Sequence, residues 1–480
     1  MQTDNGRDLT SGSMFWNLVI MSVPIMFSNF IQVVYNLTDT YFLGQLEVGG
    51  TQAVAVTGLA FPIVFLLASI GQGLAVATTA LVSRYRGRGE MEKVNVVLGQ
   101  TWILNMLFLA FLIFVAMVGI RPLLDLLQTP AEIIENAQQY IQLIMFGMVM
   151  MFIFFIFQSF AVGIGDSISP MVINAISVLI NVALDPVMIY GLAGCPAMGV
   201  MGAGLATLIA RIFTVLMATF CMIRYYRGFI PRIIDLKPDF QRIKGILKIA
   251  IPASLSHVTT SLGFVVMQGL VNSFGTAVIT ANAIGNRFVN FIMMPPMGIS
   301  SALSSIVGQN LGAGKPDRAI KTFHLALGTV VGIMTVGSLI IFHRGDQLTA
   351  FFVRDPEVIS LSCEMLKINS IAVWFFGFLF AFWGVFYGSG HTRPVMIADI
   401  LRLWLVRLPM AYILSGYFVG RSVAWPLWLQ EFLQKSALIL ADKPYTALWW
   451  PMIFSNVSAA LMAAWIYRKK TWLQFKVEEN

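Results

Sequence analysis

The sequence predicts an all-α, polytopic membrane protein of twelve transmembrane helices arranged in two six-helix bundles. Three observations lead to this prediction. The 480 residues are 58% hydrophobic and only 11% charged. Their mean hydropathy of +0.79 is far above that of a soluble domain. The two halves of the chain also share several motifs in the same order.

Twelve stretches are long and apolar enough to cross a bilayer, which requires about 20 mostly apolar residues. They run from about 15 to 44, 53 to 82, 94 to 119, 136 to 163, 170 to 192, 198 to 223, 246 to 274, 277 to 307, 322 to 342, 360 to 387, 394 to 417 and 447 to 467. The connection 420–450 is long, and its Trp and Leu pattern suits either an interfacial amphipathic helix or an apolar stretch lying on the bundle.

Orientation follows from the connections in which Lys and Arg collect, because short cytoplasmic loops are enriched in these residues. Basic residues follow helices 2, 6 and 8 and close the chain, so both termini are predicted to lie in the cytoplasm. The net charge of +8 reflects this bias rather than nucleic-acid binding. The first apolar run is too long for a signal peptide, so the protein is expected to remain, uncleaved, in the cytoplasmic membrane.

An internal duplication relates the two halves. The stretch VSRYRGRGEMEK, Val82–Lys93, recurs as VGQNLGAGKPDR, Val307–Arg318, at a shift of 225, and Pro24 corresponds to Pro252 in a second match. A third match joins VGIGDSISPMVI on the first half to YGSGHTRPVMI on the second. Since each repeat holds an even number of helices, both halves enter the membrane from the same side and are related by an axis along its normal.

We therefore predict an N-terminal lobe, residues 1–235, which carries a cation site, and a C-terminal lobe, residues 236–480. Alternating-access carriers bind their substrates in the cleft between such lobes. A channel or a membrane enzyme can also be duplicated. An enzyme is not expected, because the sequence contains no HExxH, no GxSxG and no nucleotide-binding loop.

Two polar stripes end in carboxylates inside predicted membrane helices. On helix 5 the stripe ends at Asp185, and on helix 1 it ends at Asp39, with spacings of three or four residues that place each set on one helical face. Both acids lie about 8 Å from the outer ends of their helices, so they can meet. The stripes are Asn174, Ser177, Asn181 and Asp185 on helix 5, and Asn29, Gln32, Asn36 and Asp39 on helix 1.

These oxygens, with the hydroxyl of Thr207 on helix 6, suit a hard monovalent cation, and a desolvated acid beside another acid can carry a proton instead. An intramembrane acid is by default a functional hypothesis because its burial is costly. The structural alternative is that Asp39 caps helix 1 and Asp185 bonds a neighbouring helix. The second lobe argues against it, since Met267 and Leu408 occupy the positions of the two acids.

Other polar side chains are candidates for contact with the substrate in the cleft. His257 and Gln268 share one face of helix 7, and His257 is alternatively a core histidine with its bonds satisfied. The candidate cleft residues are Gln32, Asn36, Asn174, His257 and Gln268.

Several separated motifs together resemble the multidrug and toxic compound extrusion (MATE) family over residues 14–415. They are PIMFSNFIQVVYNLTDTYFLGQL, GLAFPI, SRYRGRGE, NVALDPVMIYG, GAGLATLIAR and VGQNLGAGKPDRA. The second lobe lacks the helix 7 and helix 10 acids of the NorM branch, so the chain looks like the DinF branch. That resemblance implies a cation site of Asp39, Asn181, Asp185 and Thr207, with the Ala203 carbonyl as a further ligand, and a helix 1 bend at Pro24.

The resemblance also implies a function. The family exports organic cations, drugs and other amphipathic compounds in exchange for Na+ or H+, using two bundles in a V shape and no other cofactor. We expect a monomer that contacts small-molecule substrates and membrane lipids. The alternative within transport is a flippase for a lipid-linked saccharide, which would line its cleft with cationic side chains such as His257, Arg287 and Arg407.

Overall fold

In the computed structural model of the chain, the described residues are 6–45, 50–126, 131–419 and 427–474. All regular secondary structure in this part of the chain is helical. Within the helices, the side chains of residues 36, 37, 39, 40 and 50–63 lie outside the described part. The predicted roles of Asn36 and Asp39 therefore concern side chains that the structure does not describe.

Twelve helical segments, labelled α1 to α12, correspond in order to the predicted membrane segments. They are α1 Met14–Gly44, α2 Gly50–Arg88, α3 Met91–Phe114, α4 Ala131–Ile164, α5 Ile168–Tyr190, α6 Val200–Tyr225, α7 Phe240–Asn272, α8 Thr276–Gly312, α9 Pro316–Ala350, α10 Pro356–Ser389, α11 Arg393–Leu414 and α12 Trp450–Arg468. Several helices extend beyond the predicted apolar runs.

Eleven α-helices in the described part are long and apolar enough to span a membrane. The twelfth predicted span, α11, is not one uninterrupted α-helix. It consists of Arg393–Ile400, a π-helical stretch Leu401–Arg407 and Leu408–Leu414. The π stretch breaks the regular hydrogen-bond pattern without breaking the helical rod.

The packing of the helices is pseudo-symmetric. Within the first lobe α2 packs on α4, α4 on α6, and α5 on both α1 and α6; within the second α8 packs on α10, and α10 on α9 and α12. Between the lobes α1 packs on α8 and α2 on α7, and α2 also packs on α8. Because the duplication relates α1 to α7 and α2 to α8, these contacts are those of a two-fold axis between the bundles.

One end of the molecule carries Arg84, Arg86, Arg88, Lys315 and Arg318, and we call it the basic end. The two repeated loops meet here across the axis. A Cβ built on Gly87 would lie 2.0 Å from the carbonyl oxygen of Gln309, and one built on Gly312 would lie 2.0 Å from that of Arg84. Only glycine permits so close an approach, so α2 and α8 cross in backbone contact at this end.

The described hydrogen bonds and ring contacts between the lobes lie from mid-helix to the basic end. Near the middle, the hydroxyls of Ser69 on α2 and Ser261 on α7 lie 2.8 Å apart, and the rings of Phe30 on α1 and Phe291 on α8 are 6.3 Å apart. The lobes therefore meet at the basic end.

The long connection before α12 contains a helix, Leu427–Leu438. Leu433 is buried, whereas Trp428, Phe432 and Leu438 are exposed. This helix packs on the end of α11. Its exposed aromatic and leucine side chains are typical of a helix that lies at a membrane surface, and residues 420–426 of the connection lie outside the described part.

Candidate functional site

The polar stripe of α5 faces α1 and α6 inside the first lobe. Asn181 and Asp185 are both 0% exposed. The Asn181 amide donates to a carboxylate oxygen of Asp185 over 3.3 Å. The Asn181 carbonyl oxygen, Oδ1, is buried and has no hydrogen-bond partner among the described residues. A buried amide oxygen without a partner is costly, and a cation or a donating group would relieve that cost.

Small residues let α6 approach this stripe. A Cβ built on Gly202 would lie 2.4 Å from the Met188 carbonyl oxygen, so the two helix backbones are in contact. Further along, Ser177 donates to the Ala210 carbonyl and accepts a hydrogen bond from Thr214. These contacts fix α5 and α6 as one unit and place Thr207 and Ala203, which are 5% and 3% exposed, on the buried face of α6.

Several hydrogen bonds tie α1 to this unit. The Asn174 amide donates to the Ser28 hydroxyl at 2.9 Å, and the Tyr190 hydroxyl donates to the Phe42 carbonyl at 2.7 Å. Between these two, the hydroxyls of Tyr35 and Thr207 lie 2.9 Å apart. These bonds hold α1 against α5 and α6 on both sides of Asp185 along the helix. A change in charge at Asp185 can therefore act on α1.

Tyr35 is a site residue that the sequence prediction missed. It lies three residues after Gln32 and four before Asp39, so the helical spacing that identified the α1 stripe includes it. Tyr35 was not included because a tyrosine ring also suits lipid contact or core packing, and the sequence contains many aromatic residues of that kind.

The donor set suits a hard monovalent cation. Asp185 offers a carboxylate, and Asn181 offers an amide oxygen that has no hydrogen-bond partner among the described residues. On the neighbouring helix, Thr207 offers a hydroxyl that Tyr35 orients. Oxygen ligands of this kind are those of hard ions. The described residues contain no group of three or more His, Cys, Asp or Glu side chains with metal-binding geometry. The predicted participation of Asp39 stays a prediction.

Pro24 lies within α1 and is buried. Proline has no backbone N–H, so the carbonyl of Ile20, four residues earlier, loses its helical partner. The Ser167 hydroxyl, at the start of α5, donates to that carbonyl at 3.2 Å. The structure thus shows what satisfies the freed carbonyl, and it couples the proline turn to the same helix that carries Asp185.

The candidate cleft residues divide into two groups. Gln32 and Gln268 are exposed, although the Gln268 amide bonds Asn272 on its own helix at 2.9 Å. His257 is partly exposed, and its ring centroid lies 6.3 Å from that of Tyr387. Asn174 instead uses its amide to bond α1 within the first lobe.

The second lobe contains an intramembrane acid that the sequence prediction overlooked. Asp399 on α11 is 4% exposed; it forms a salt bridge of 3.1 Å with Arg402 and accepts a hydrogen bond from Ser256. The interpretation that only two acids, Asp39 and Asp185, lie inside predicted membrane helices was therefore wrong. The signal was present, because an acid and an arginine three residues apart on a helix are typical of an ion pair.

Arg402 and Arg407 lie beside this acid and both contact Asn456 on α12. Arg407 Nη2 donates to Asn456 Oδ1 at 2.9 Å, and Arg402 Nη1 donates to the same oxygen at 3.4 Å. Residues five apart in an α-helix point about 140° apart. The π-helical stretch Leu401–Arg407 turns both guanidinium groups toward α12. Arg407 is only 4% exposed, so it packs inside the lobe and not along a cleft.

Comparisons with known proteins agree with this architecture. The MatE family model matches the chain twice, over residues 24–187 and 252–413. The probable multidrug resistance protein NorM of Thermotoga maritima is 27% identical over 440 residues, which cover 88% of this chain and 90% of that protein. The FAD transporter of Shewanella oneidensis is 25% identical, over 84% of this chain and 88% of that protein.

The fold also matches solved structures. An outward-facing multidrug resistance MATE family transporter of the MOP superfamily superposes with a TM-score of 0.85 at 20% identity, covering 99% of this chain and 100% of that one. The two matched regions of the family model begin at Pro24 and Pro252, the two prolines that the internal duplication pairs.

Proposed function

The chain belongs to the MatE family of multidrug efflux transporters, and from that premise we propose that it is an antiporter which exports amphipathic or cationic small molecules in exchange for Na+ or H+. One relative is named a FAD transporter and another a probable multidrug resistance protein, and transport rather than catalysis is the activity that two packed bundles support. The coupling cation is the cargo of the first-lobe site, and no other cofactor is required.

One observation carries this proposal. Asn181 and Asp185 form a fully buried polar pair one helical turn apart, and Asn181 Oδ1 has no hydrogen-bond partner in the described part of the chain. A site of this kind is costly when empty and is stabilised by Na+, or by a proton on the carboxylate. Its occupancy therefore has the energetic weight needed to select between two arrangements of the lobe.

The helix contacts supply the route from the ion to the cleft. Ion binding changes the charge at Asp185 and the hydrogen bond between Thr207 and Tyr35. Tyr35 lies on α1, and α1 packs against α8 of the second lobe. A change in α1 geometry, with Pro24 as its weakest turn, thus alters the surface on which the two lobes meet. We place the substrate in the cleft on the side opposite the basic end.

The charge distribution supports the membrane orientation that we propose. The basic end carries the Lys and Arg residues of the two repeated loops, so we place it and both termini in the cytoplasm. The described contacts between the lobes lie toward that end. They support our proposal of an outward-facing state, and we propose a monomeric carrier in the cytoplasmic membrane.

Transport by proteoliposomes under separately imposed Na+ and proton gradients tests the proposal. We expect one of the two gradients to drive uphill movement of a fluorescent organic cation, and Asp185→Asn to reduce it to the rate without a gradient while leaving substrate binding. Asp317→Asn, at an exposed acid of the basic end, is the matched control. Full gradient-driven transport by Asp185→Asn would show that this carboxylate is structural.

A further inference from the structure

The segment that precedes α1 lies across the closed basic end and is not a free terminus. Leu9 is 0% exposed. It belongs to the same buried apolar cluster as Leu18 and Met21 of α1, Val162 of α4 and Ile306 of α8. An apolar side chain buried between two lobes stabilises their contact, because separation would expose it to water.

Two amide side chains of α8 hold the peptide groups of Leu9. The Leu9 N–H donates to Gln309 Oε1 at 3.0 Å, and Asn310 Nδ2 donates to the Leu9 carbonyl at 3.2 Å. Gln309 Nε2 also donates to the Gly163 carbonyl on α4 at 3.0 Å. One glutamine therefore joins the N-terminal segment, the first lobe and the second lobe. Gln309 and Asn310 belong to the GQN part of the repeated motif, for which the ion site gives no role.

Two basic side chains at the start of α9 hold the rest of the segment. Lys315 donates to the Thr10 carbonyl at 3.0 Å, and Arg318 Nη2 donates to the carbonyls of Ser11 and Gly12 at 2.8 and 2.7 Å. Hydrogen bonds from charged donors are stronger than those between neutral groups. The segment is covalently part of the first lobe and also bonds to it, since Arg7 donates to Asn17 and Asn17 donates to the Ser11 carbonyl. Leu9, Thr10 and Gly12 instead bond residues of the second lobe.

The segment is also shaped for this position. Partial burial by itself would raise the pKa of the Asp8 carboxyl, but hydrogen bonds from Ser11 and Thr10, together with the charge of Lys315, bring it below its ordinary value. Asp8 is therefore ionised at physiological pH and keeps the local turn. On the first lobe, Gly165 has φ +95°, and a Cβ there would lie 2.4 Å from the Arg7 carbonyl oxygen. The backbone of the segment thus packs directly on the turn between α4 and α5.

A carrier that alternates must open its basic end, and then the crossing of α2 and α8 has to separate. The N-terminal segment cannot follow both lobes. It stays attached to α1, so its bonds to Gln309, Asn310 and Arg318 must break. We propose that residues 6–12 are an interlobe latch, which holds the basic end closed and whose release sets how often the inward-open state is populated.

This inference rests on the proposed alternating-access function, but its first test does not require transport. We call the crossing of α2 and α8 at the basic end the gate. Ser83 lies in this gate, is 0% exposed and contacts Gly308 across the lobes. In a background without the three native cysteines, a Ser83→Cys reporter is labelled by a maleimide added to the basic side of reconstituted protein. The labelling rate measures opening of that end whether or not a substrate or coupling ion has been identified.

We expect Asn310→Ala and Arg318→Ala to raise the labelling rate of the reporter several-fold, because each removes bonds that exist only while the gate is closed. Lys321→Ala is the matched control, since Lys321 is an exposed base on the same helix with no described bond to the segment. Arg318 is only partly buried, whereas Asn310 is fully buried, so its variant is expected to fold even if Asn310→Ala does not. Unchanged labelling in Arg318→Ala would overturn the latch.

A cross-link tests whether the gate stays closed when the segment cannot leave the second lobe. In the same cysteine-free background, a short bis-maleimide between Thr10→Cys and Lys315→Cys ties the segment to the second lobe and should abolish labelling of the gate. The pair Thr10→Cys and Ser13→Cys, which links the segment only to its own lobe, should leave labelling unchanged. Equal labelling in both cross-linked proteins would contradict the latch. Failure of ion-driven transport with an intact latch response would count against the proposed function alone.

Discussion

Asp185 lies in the membrane with an amide one turn away and a hydroxyl pair, Tyr35 and Thr207, on the neighbouring helices. The described side chains around it are neutral groups whose oxygen atoms can bind a cation. Binding of a cation, or of a proton, would offset the cost of burying the carboxylate.

Tyr35→Phe tests how much the second hydroxyl contributes. The change removes the group that orients Thr207, and one such hydrogen bond contributes about 1 kcal/mol, so we expect about a five-fold weaker apparent affinity for the coupling ion. The measurement is the ion dependence of initial efflux rates, with Tyr41→Phe, at an exposed tyrosine of the same helix, as control. An unaltered ion dependence would remove Tyr35 from the site.

The charge of Asp399 is paired within the second lobe. Arg402 and Ser256 both bond it, and Arg407 lies in the same network. We expect Asp399→Asn to leave buried guanidinium groups without their counter-charge and to reduce stability by about 3–5 kcal/mol. Thermal unfolding in detergent measures this effect, and Asp346→Asn, at an exposed acid, is the control.

The double variant Asp399→Asn/Arg402→Gln separates a structural role of Asp399 from a coupling role. Removal of both charges should restore part of the lost stability, because the pair no longer contains an unmatched ion. The residual transport of this variant should also keep the ion dependence of the parent. A shifted ion dependence with unchanged stability would instead make Asp399 a coupling acid.

At the scale of single helices, α1 contains a proline and α11 contains a π-helical stretch. The proline in α1 is visible in the sequence. The π-helical stretch in α11 is not, because π turns arise where tertiary contacts make the extra residue per turn favourable. Here the contact is between two arginines and Asn456.

Pro24→Ala tests the role of the α1 interruption. Alanine restores a backbone N–H that bonds the Ile20 carbonyl, and this bond competes with the hydrogen bond from Ser167. We expect a straighter and more rigid α1, normal insertion and several-fold slower efflux. Efflux and thermal stability are measured on the same preparation, and Pro252→Ala, at the paired position in the second lobe, is the comparison. Equal efflux by Pro24→Ala and the parent would exclude a role in the transport cycle.

At the scale of the whole molecule, the duplication explains why the two lobes meet as they do. The shift of 225 pairs Gly87 with Gly312 and Arg84 with Gln309. Gly87 contacts Gln309 and Gly312 contacts Arg84 across the axis, so the two contacts are themselves related by the duplication. The repeated loops are therefore the two halves of one gate. The N-terminal segment breaks this symmetry, because it lies on the crossing of α2 and α8, whereas the segment before α7 is held on α3 by Gln100.

The sequence by itself determined the helical class, the number and order of the membrane segments, the duplication and the first-lobe polar stripe. These properties depend on local apolar content, on helical spacing and on repetition. All three can be read from the linear sequence. The three polar residues Asn181, Asp185 and Thr207 were found in this way, and the structure places them in one interface between α1, α5 and α6.

Only the tertiary structure decided which distant residues meet. Leu9 and Gln309 are 300 positions apart, and Arg407 and Asn456 belong to different helices of the second lobe. No periodicity connects such pairs, so neither the latch nor the Asp399 network follows from spacing alone. A contact between remote segments is fixed by the way whole helices pack, and the free energy of that packing is a property of the assembled bundle, not of any stretch within it.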